Sequence, residues 1–377
     1  MLKAYKYRMY PNKKQSKSIW NHIHTCRFLY NWSLEQKIKA YQTEGKTLSM
    51  FDLNYMLPTL KKQHEWIGEI NSQSLQAVNR NVETAFKNFF RKKTNFPKFK
   101  SKKNPMQSFQ IPQYYEVNFD VNLVKLPKIG TVKTVVSRKF TGILKTATVS
   151  ATSTGKYFIS ILVDDGTDVP EPVAFDNNST IGIDVGLSSF IVSSDGQKED
   201  NPRYLKNSLA RLKHLQRSLS RKERGSSNRK KAVKKVAILH EHIANQRKDF
   251  LHKHSSKLVS ENQAIAVETL NVSGMLKNHC LARSISDVGW GEFFRQLEYK
   301  CKWYGKTLLK IGRFEPSTKM CSVCGEINRN LTLKDRDWIC KGCGTSHDRD
   351  INAAINIKKM ALQEQNLLPT FRVGTTR

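Results

Sequence analysis

Residues 3–10 alternate loosely between apolar and polar side chains and stop at Pro11, which predicts one short strand. From about Ser16 to Lys93 the spacing turns helical. Ile19, Trp20, Ile23, Cys26 and Tyr30 recur at three- and four-residue steps, as do Leu75, Val78, Val82, Ala85, Phe86 and Phe89 after Ser72. Both stripes are expected to be helix–helix core rather than binding faces. Residues 109–163 are rich in Val, Ile, Thr and Tyr, with Gly and Pro at short intervals. Residues 144–151 and 156–163 straddle Ser153-Thr154-Gly155 and read as a hairpin. Consecutive short strands suggest a small antiparallel barrel. The N-terminal strand could complete it, making the helical stretch an insertion.

An Asp-, Pro- and Asn-rich loop at 164–178 marks a boundary. Beyond it the pattern predicts strands at 180–185 and 190–193, a long helical stretch at about 201–259, a strand at 264–267, a helix near 290–304, a strand at 307–311 and a last helix from Asp350. Strands alternating with helices indicate an α/β domain. The tail after Leu367 has no periodicity and is expected to be mobile.

Charge narrows the function. The 377 residues carry 64 Lys and Arg against 32 Asp and Glu, a formal charge of +32, and at 38% hydrophobic the chain is too apolar to be disordered. Such an excess calls for a polyanion, and nucleic acid is the obvious one. A membrane surface fits less well, since no Lys-rich helix with a hydrophobic opposite face is visible. No apolar run approaches the roughly 18–20 residues of a membrane span, and Met1-Leu2-Lys3-Ala4-Tyr5-Lys6 lacks the apolar core of a signal peptide. A soluble, cytoplasmic protein is expected.

Four of the seven cysteines lie within 23 residues, as Cys321-Ser-Val-Cys324 and Cys340-Lys-Gly-Cys343, fifteen residues apart. Thiolate pairs at this spacing can converge on one tetrahedral zinc, with Gly325, Gly342 and Gly344 relieving the backbone. A closed four-sulfur site has no open position, so this zinc is structural. His347 lies nearby, but four sulfurs suffice, and it is expected to be a polar loop residue.

The catalytic candidates are acidic. In Thr180-Ile-Gly-Ile-Asp184-Val-Gly186, period two puts Ile181, Ile183 and Val185 on one face and Gly182 and Asp184 on the other. Gly182 leaves space beside the carboxylate. Ala264-Ile-Ala-Val-Glu268 repeats the device, and His347-Asp348-Arg349-Asp350 precedes a helix start. Two strand-end carboxylates and an acidic helix start can place three oxygen donors around Mg²⁺. Two such ions ~4 Å apart can activate a water and stabilise the leaving 3′-oxygen of a phosphodiester.

Two basic tracts could supply the substrate. Between Arg203 and Lys235 thirteen Lys and Arg face a single acid, Glu223, while Leu205, Leu209, Leu212, Leu215 and Leu219 keep helical spacing. Arg217, Arg221, Lys222, Arg224, Arg229, Lys230 and Lys231 are the expected phosphate contacts. In the second tract Phe86, Phe89, Phe90, Phe96 and Phe99 interleave with basic residues including Lys92, Lys98 and Lys100, a mixture suited to RNA or unpaired strands.

The order Ile-Gly-Ile-Asp184-Val-Gly, Val-Glu268, four-Cys ribbon, Asp350-x-Asn-Ala-Ala resembles the RuvC-like nuclease of the TnpB family, transposon-encoded RNA-guided DNA nucleases similar to compact type V CRISPR effectors. Tyr5-Lys-Tyr-Arg8-Met-Tyr-Pro11, Asn95-Phe-Pro-Lys-Phe-Lys-Ser-Lys102, Trp290-Gly-Glu-Phe and Tyr299-Lys-Cys-Lys-Trp-Tyr-Gly305 look like family landmarks too. The resemblance implies a multidomain α+β protein. An antiparallel β-barrel (wedge, 1–15 and 95–175) would be interrupted by a helical recognition insertion (16–94). An RNase H-like (RuvC) α/β domain (176–318 and 347–366) would follow, with a zinc ribbon that binds target nucleic acid (319–346) inserted in it. It further implies a guide RNA, a double-stranded target DNA with a flanking motif read by the protein, and Asp184, Glu268 and Asp350 as the Mg²⁺-binding triad, with Asp348 the rival for third place. A monomeric ribonucleoprotein is expected. A guide-independent nuclease or transposase on the same fold, or a non-cutting guided regulator, are the alternatives.

Overall fold

The computed structural model describes residues 1–332 and 334–368; the expected tail falls largely outside them. The chain divides into two compact units at Asp168/Val169.

In the first unit β1 (Leu2–Tyr10) leads through α1 (Lys13–Glu44), α2 (Met50–Gln63) and α3 (Ser72–Phe90) to β2 (Met106–Ile111), β3 (Glu116–Asn118), β4 (Leu123–Leu126), β5 (Gly130–Val135), β6 (Ile143–Thr152) and β7 (Tyr157–Asp164). Local chemistry starts the helices. Asn12 and Gln15 form a reciprocal capping box at α1, as Ser49 and Asp52 do at α2, and Gly45 ends α1 at φ 64°. The strands form a seven-stranded antiparallel sheet ordered β2-β6-β7-β1-β5-β4-β3. The first strand is thus central, paired to β7 from Leu2↔Asp164 to Met9↔Tyr157 and to β5 at Arg8↔Val135, and the three helices lie between it and the rest of its sheet in sequence. The expected barrel is not shown by the strand pairing: among the described residues no ladder joins β2 to β3, the two ends of the order. The three-residue β3 pairs on one side only, with β4. Both ends of the sheet still feed one core, in which Phe109 and Ile111 of β2 and Val124 and Leu126 of β4 are buried together with Ile19, Ile23, Leu75 and Val82.

The second unit contains β8 (Thr180–Asp184), β9 (Ser189–Ser193), β10 (Lys198–Asp200), α4 (Tyr204–Ser220), α5 (Ser227–Glu261), β11 (Ala264–Glu268), α6 (Val272–Met275), α7 (Ala282–Val288), α8 (Trp290–Trp303), β12 (Thr307–Ile311), β13 (Asp337–Ile339), β14 (Ser346–Asp348) and α9 (Arg349–Glu364). Five strands form one mixed sheet, ordered β10-β9-β8-β11-β12. β11 runs parallel to both β8 and β12, whereas β9 and β10 are antiparallel additions. Its two faces bury different residues. Ile181, Ile183, Ile265 and Val267 pack with Phe293 and Leu297 of α8 and Leu251 and Leu258 of α5. Ala264 and Ala266 pack with Ile357, Met360 and Ala361 of α9. The period-two pattern of each strand therefore assigns α9 to the small-residue face. No helix among the described residues is long and apolar enough to cross a membrane.

Candidate active site

β8 and β11 are in parallel register, with Ile183 opposite Val267, so Asp184 and Glu268 lie side by side at the carboxyl ends of adjacent strands. That end of a parallel sheet is where open α/β folds place ligands. The third acid arrives on α9, whose closeness to β8 depends on Gly182. A Cβ there would lie 2.2 Å from the Ala354 carbonyl oxygen and 2.7 Å from Lys358 Cβ. The space expected beside the carboxylate is thus filled by the α9 backbone. Glycine is required for helix docking, and the docking brings the start of α9 toward the strand ends.

At that start the two rival aspartates divide the work. Asp348 is the N-cap: its Oδ1 accepts the amides of Asp350 at 3.1 Å and Ile351 at 3.0 Å, and its Oδ2 pairs with Lys198. Asp350, two residues on, is near enough for its charge to act on Asp184. Burial pushes Asp184 up to about 7, and the charges of Asp350 and Glu268 push the same way; the Val185 amide and Arg349 oppose them. Burial also raises Glu268. Crowded carboxylates in a poorly solvated cleft are hard-oxygen donors that favour a hard cation. They do not close on a common point, however: among the described residues the four cysteines alone form a cluster of three or more ligand atoms within 4.8 Å. Asp350 is drawn aside by two arginines, Arg336 (Nη1–Oδ2 3.1 Å) and Arg349 (Nη2–Oδ1 3.2 Å).

Those arginines were missed in the sequence, where Arg349 reads only as a charge between two acids. It is buried, and its guanidinium also donates to the carbonyls of Thr332 and Asp335 at 3.3 and 3.1 Å, tying the ribbon's second half to α9. Asn352 and Asn356 clamp the first half. Asn352 donates to the Met320 carbonyl at 2.8 Å and accepts the Ser322 amide at 2.9 Å, and Asn356 donates to the carbonyls of Ser317 and Met320. The motif Asp350-x-Asn-Ala-Ala thus joins three tasks on one helix turn: an acid for the cleft, an amide for the ribbon and small residues against the sheet.

The ribbon thiols are gathered as expected. Cys321 and Cys343 Sγ are 3.7 Å apart and Cys324 and Cys340 Sγ 3.5 Å. A tetrahedron with bonds of about 2.3 Å has edges of about 3.8 Å, so the cluster could hold a metal such as zinc. Each knuckle closes by an amide returning to its first cysteine, Gly325 N to Cys321 O at 3.0 Å and Gly344 N to Cys340 O at 2.9 Å, with both glycines at positive φ. Gly342 has no positive φ. His347 is more than a loop residue: it is buried, its ring centroid lies 4.8 Å from that of Trp338, and its Nε2 is 3.0 Å from Cys321 Sγ. There it can donate to a ligating sulfur without being a ligand.

The basic residues separate by role. Arg217, Arg221, Lys222, Arg224, Lys230 and Lys231 are exposed around the turn between α4 and α5, whose other side is buried through Leu212, Leu239 and Ile243. Arg229 is committed elsewhere. Its Nη1 donates to the carbonyls of Leu219 and Lys222 at 3.1 and 3.0 Å, closing the end of α4. In the first unit Lys92, Lys98 and Lys100 are all exposed, but the Lys100 ammonium turns in to 4.0 Å from the Tyr30 ring centroid, where desolvation lowers its pKa.

The site thus combines a mixed sheet with paired acids at its parallel strand ends and a four-thiol ribbon clamped to the helix bearing a third acid. Comparison with known proteins gives the family. Residues 160–279 match the family described as "Probable transposase", and residues 290–357 the "Cas12f1-like, TNB domain". A match described as "Helix-turn-helix domain" spans residues 1–46, which here form β1 and the single long helix α1. The chain is 39% identical over 94% of its length, and 88% of the relative's, to a Streptomyces pristinaespiralis protein named "Putative RNA-guided DNA endonuclease". It is 32% identical to the like-named InsQ of Escherichia coli (strain K12), over 94% of this chain and 91% of that one. Solved structures share the fold: a Cas12f1–sgRNA–target DNA complex (TM-score 0.60, 15% identity, 95% of this chain and 98% of the other) and a CRISPR-Cas_phi3 endonuclease (TM-score 0.52, 9% identity, 98% and 93%). The chain belongs to the TnpB family.

Proposed function

We propose that this chain is an RNA-guided DNA endonuclease that hydrolyses phosphodiester bonds at an RNase H-like centre formed by Asp184, Glu268 and Asp350. The observation that carries the reading is the electrostatic crowding at the ends of β8 and β11, where Asp184 is pushed up to about 7 by burial and by the other two acids. Mg²⁺ ions, when bound, would supply the Lewis acid that activates water and stabilises the leaving 3′-oxygen. Asp184, Glu268 and Asp350 would hold them. Without a cation, burial and the neighbouring charges favour the protonated form of Asp184, which relieves the repulsion. Asp348 and Lys198 orient the start of α9, and Gly182 lets that helix approach, so Asp350 faces the strand ends. The ribbon thiols would hold one structural zinc, which braces the other side of the same helix.

Sequence specificity would come from a guide RNA paired with one strand of the target, so the protein needs long cationic surfaces for backbone more than a base-reading code. The exposed basic turn between α4 and α5 supports that reading. A guide-independent transposase is favoured by one observation, the description attached to the family match over residues 160–279. Expressing the chain with its native flanking DNA and sequencing the copurifying RNA separates the two. One discrete RNA with a constant part and a variable end, which then directs cleavage of a matching plasmid, is expected. Heterogeneous RNA with guide-free cutting would establish the transposase reading instead.

A further inference from the structure

The last two turns of α3 line a cavity of about 840 Å³ in the first unit, within the size range of small-ligand pockets and roomy for one planar ligand. Lys92, at φ 55°, ends the helix, its amide returning to the Phe89 carbonyl at 2.9 Å. The chain then doubles back and sets Phe96 edgewise against Phe86 (5.6 Å, 87°) and Phe89 (5.3 Å, 82°). Phe90 and Tyr41 complete the wall and remain 70% and 66% exposed. These are poor values for core residues, and together they form an open aromatic cage.

The cage also holds polar groups. Lys37, with only 5% of its side chain exposed, reaches the Leu48 carbonyl and Glu83 Oε2, the latter at 3.3 Å, while Lys87 meets Glu83 Oε1 from outside at 3.5 Å. Gln42 and Thr47 line the same space. An aliphatic side chain would leave these edge groups unused. A second copy of the chain would bring the same cations against themselves, since residues 91–103 carry seven Lys and Arg and no acid. A nucleobase matches both features, with π-faces for the rings and a polar edge for Glu83 and Gln42, and its strand matches the basic rim. We infer that this cage binds one unstacked base of a single RNA strand, with Lys87, Lys92 and Lys93 taking the flanking phosphates. The inference rests on the RNA-binding reading above and adds a base-holding subsite to it.

The test uses the full chain and a 12-nucleotide single-stranded RNA, with and without one abasic position, titrated at several salt concentrations. Tyr41→Ala with Phe90→Ala, both exposed and so neutral for folding, is expected to weaken binding of the intact strand roughly 10- to 100-fold. The salt slope should stay unchanged, and the abasic strand should show a smaller loss. Phe90→Trp should retain affinity. Equal binding by wild type and double variant would overturn the cage while leaving the guided reading intact. So would a loss that is the same for both strands, or a wild-type dimer that the double variant abolishes. Failure of the wild type to bind the intact strand would overturn the cage as well, whereas the guided reading stands or falls on the copurifying RNA.

Discussion

The ribbon thiols and the cleft carboxylates are both sets of side chains of metal-ligating type, yet the structure arranges them differently. The four sulfurs lie within 4.8 Å of one another, with two separations of 3.7 and 3.5 Å across the knuckles, whereas Asp350 and Glu268 act on Asp184 by charge but the acids do not converge, and Asp350 leans on Arg336 and Arg349. The difference follows from how each is built. Every thiol pair belongs to a five-residue knuckle whose turn sets its geometry, so only two local units need to meet. The acids come from β8, β11 and α9, far apart in sequence, and their spacing is the sum of a strand register and a helix approach. A closed set is suited to hold, and an open, crowded one to be completed by ions and substrate.

The largest effect should come from removing one acid. Asp184→Ala is expected to reduce DNA cleavage to background while RNA binding persists, as read by plasmid cleavage and filter binding; retained cutting would take Asp184 out of the centre. Gly182→Val attacks the approach of α9 itself. With a Cβ 2.2 Å from the Ala354 carbonyl, stability should fall by at least about 1–3 kcal/mol in denaturant titration, and cleavage should fall with it. An unchanged midpoint would mean that α9 docks without that contact.

Cys321→Ser isolates the closed cluster. Bound zinc should drop from one equivalent to none by elemental analysis, with loosening around α9 visible in hydrogen exchange. Full metal content would remove the four-sulfur site.

The open cluster has its own signature in pH. An acid raised from 3.8 to about 7 binds its proton more tightly in the folded state. Its contribution is therefore present at acid pH and lost as pH rises through about 7. In Mg²⁺-free buffer Tm should decline between pH 5 and 8 more steeply in wild type than in Asp184→Asn, and identical slopes would contradict the crowding. The smallest effect concerns the basic turn. Neutralising Arg217, Arg221 and Arg224 should reduce the salt slope of nucleic-acid binding by about two to three. Arg229→Ala should instead cost helix stability, because its guanidinium serves the Leu219 and Lys222 carbonyls.

Much of this was legible along the chain. Strand and helix periods located β1, the β6–β7 hairpin, β8, β11, β12 and α8 within a residue or two: β1, β6, β7 and α8 alternate burial along their length, and β8 and β11, buried on both faces, read as short apolar runs ending in an acid. The two CxxC knuckles declared the thiol cluster. The sheet of the first unit was less readable. Composition suggests only that the N-terminal strand could complete a barrel; it carries no pairing order, and the ladders among the described residues put that strand in the middle without showing a closed ring. Arg336 and Arg349 had no signal at all, since a charge near two acids looks the same whether it faces water or a carboxylate.

By itself the sequence determined the segments and their chemistry: which strands carry acids at their ends, where four thiols pair, and that a charge of +32 must meet a polyanion. These are local or summed properties, encoded in spacing and residue type. Tertiary structure alone decided that Gly182 serves α9 rather than the carboxylate, that Asp348 caps a helix while Asp350 faces the cleft, that His347 reaches a sulfur, and that the aromatic tract opens into a cage. Each of these depends on which segment packs against which, and long-range contacts leave no periodic trace in the residues that make them.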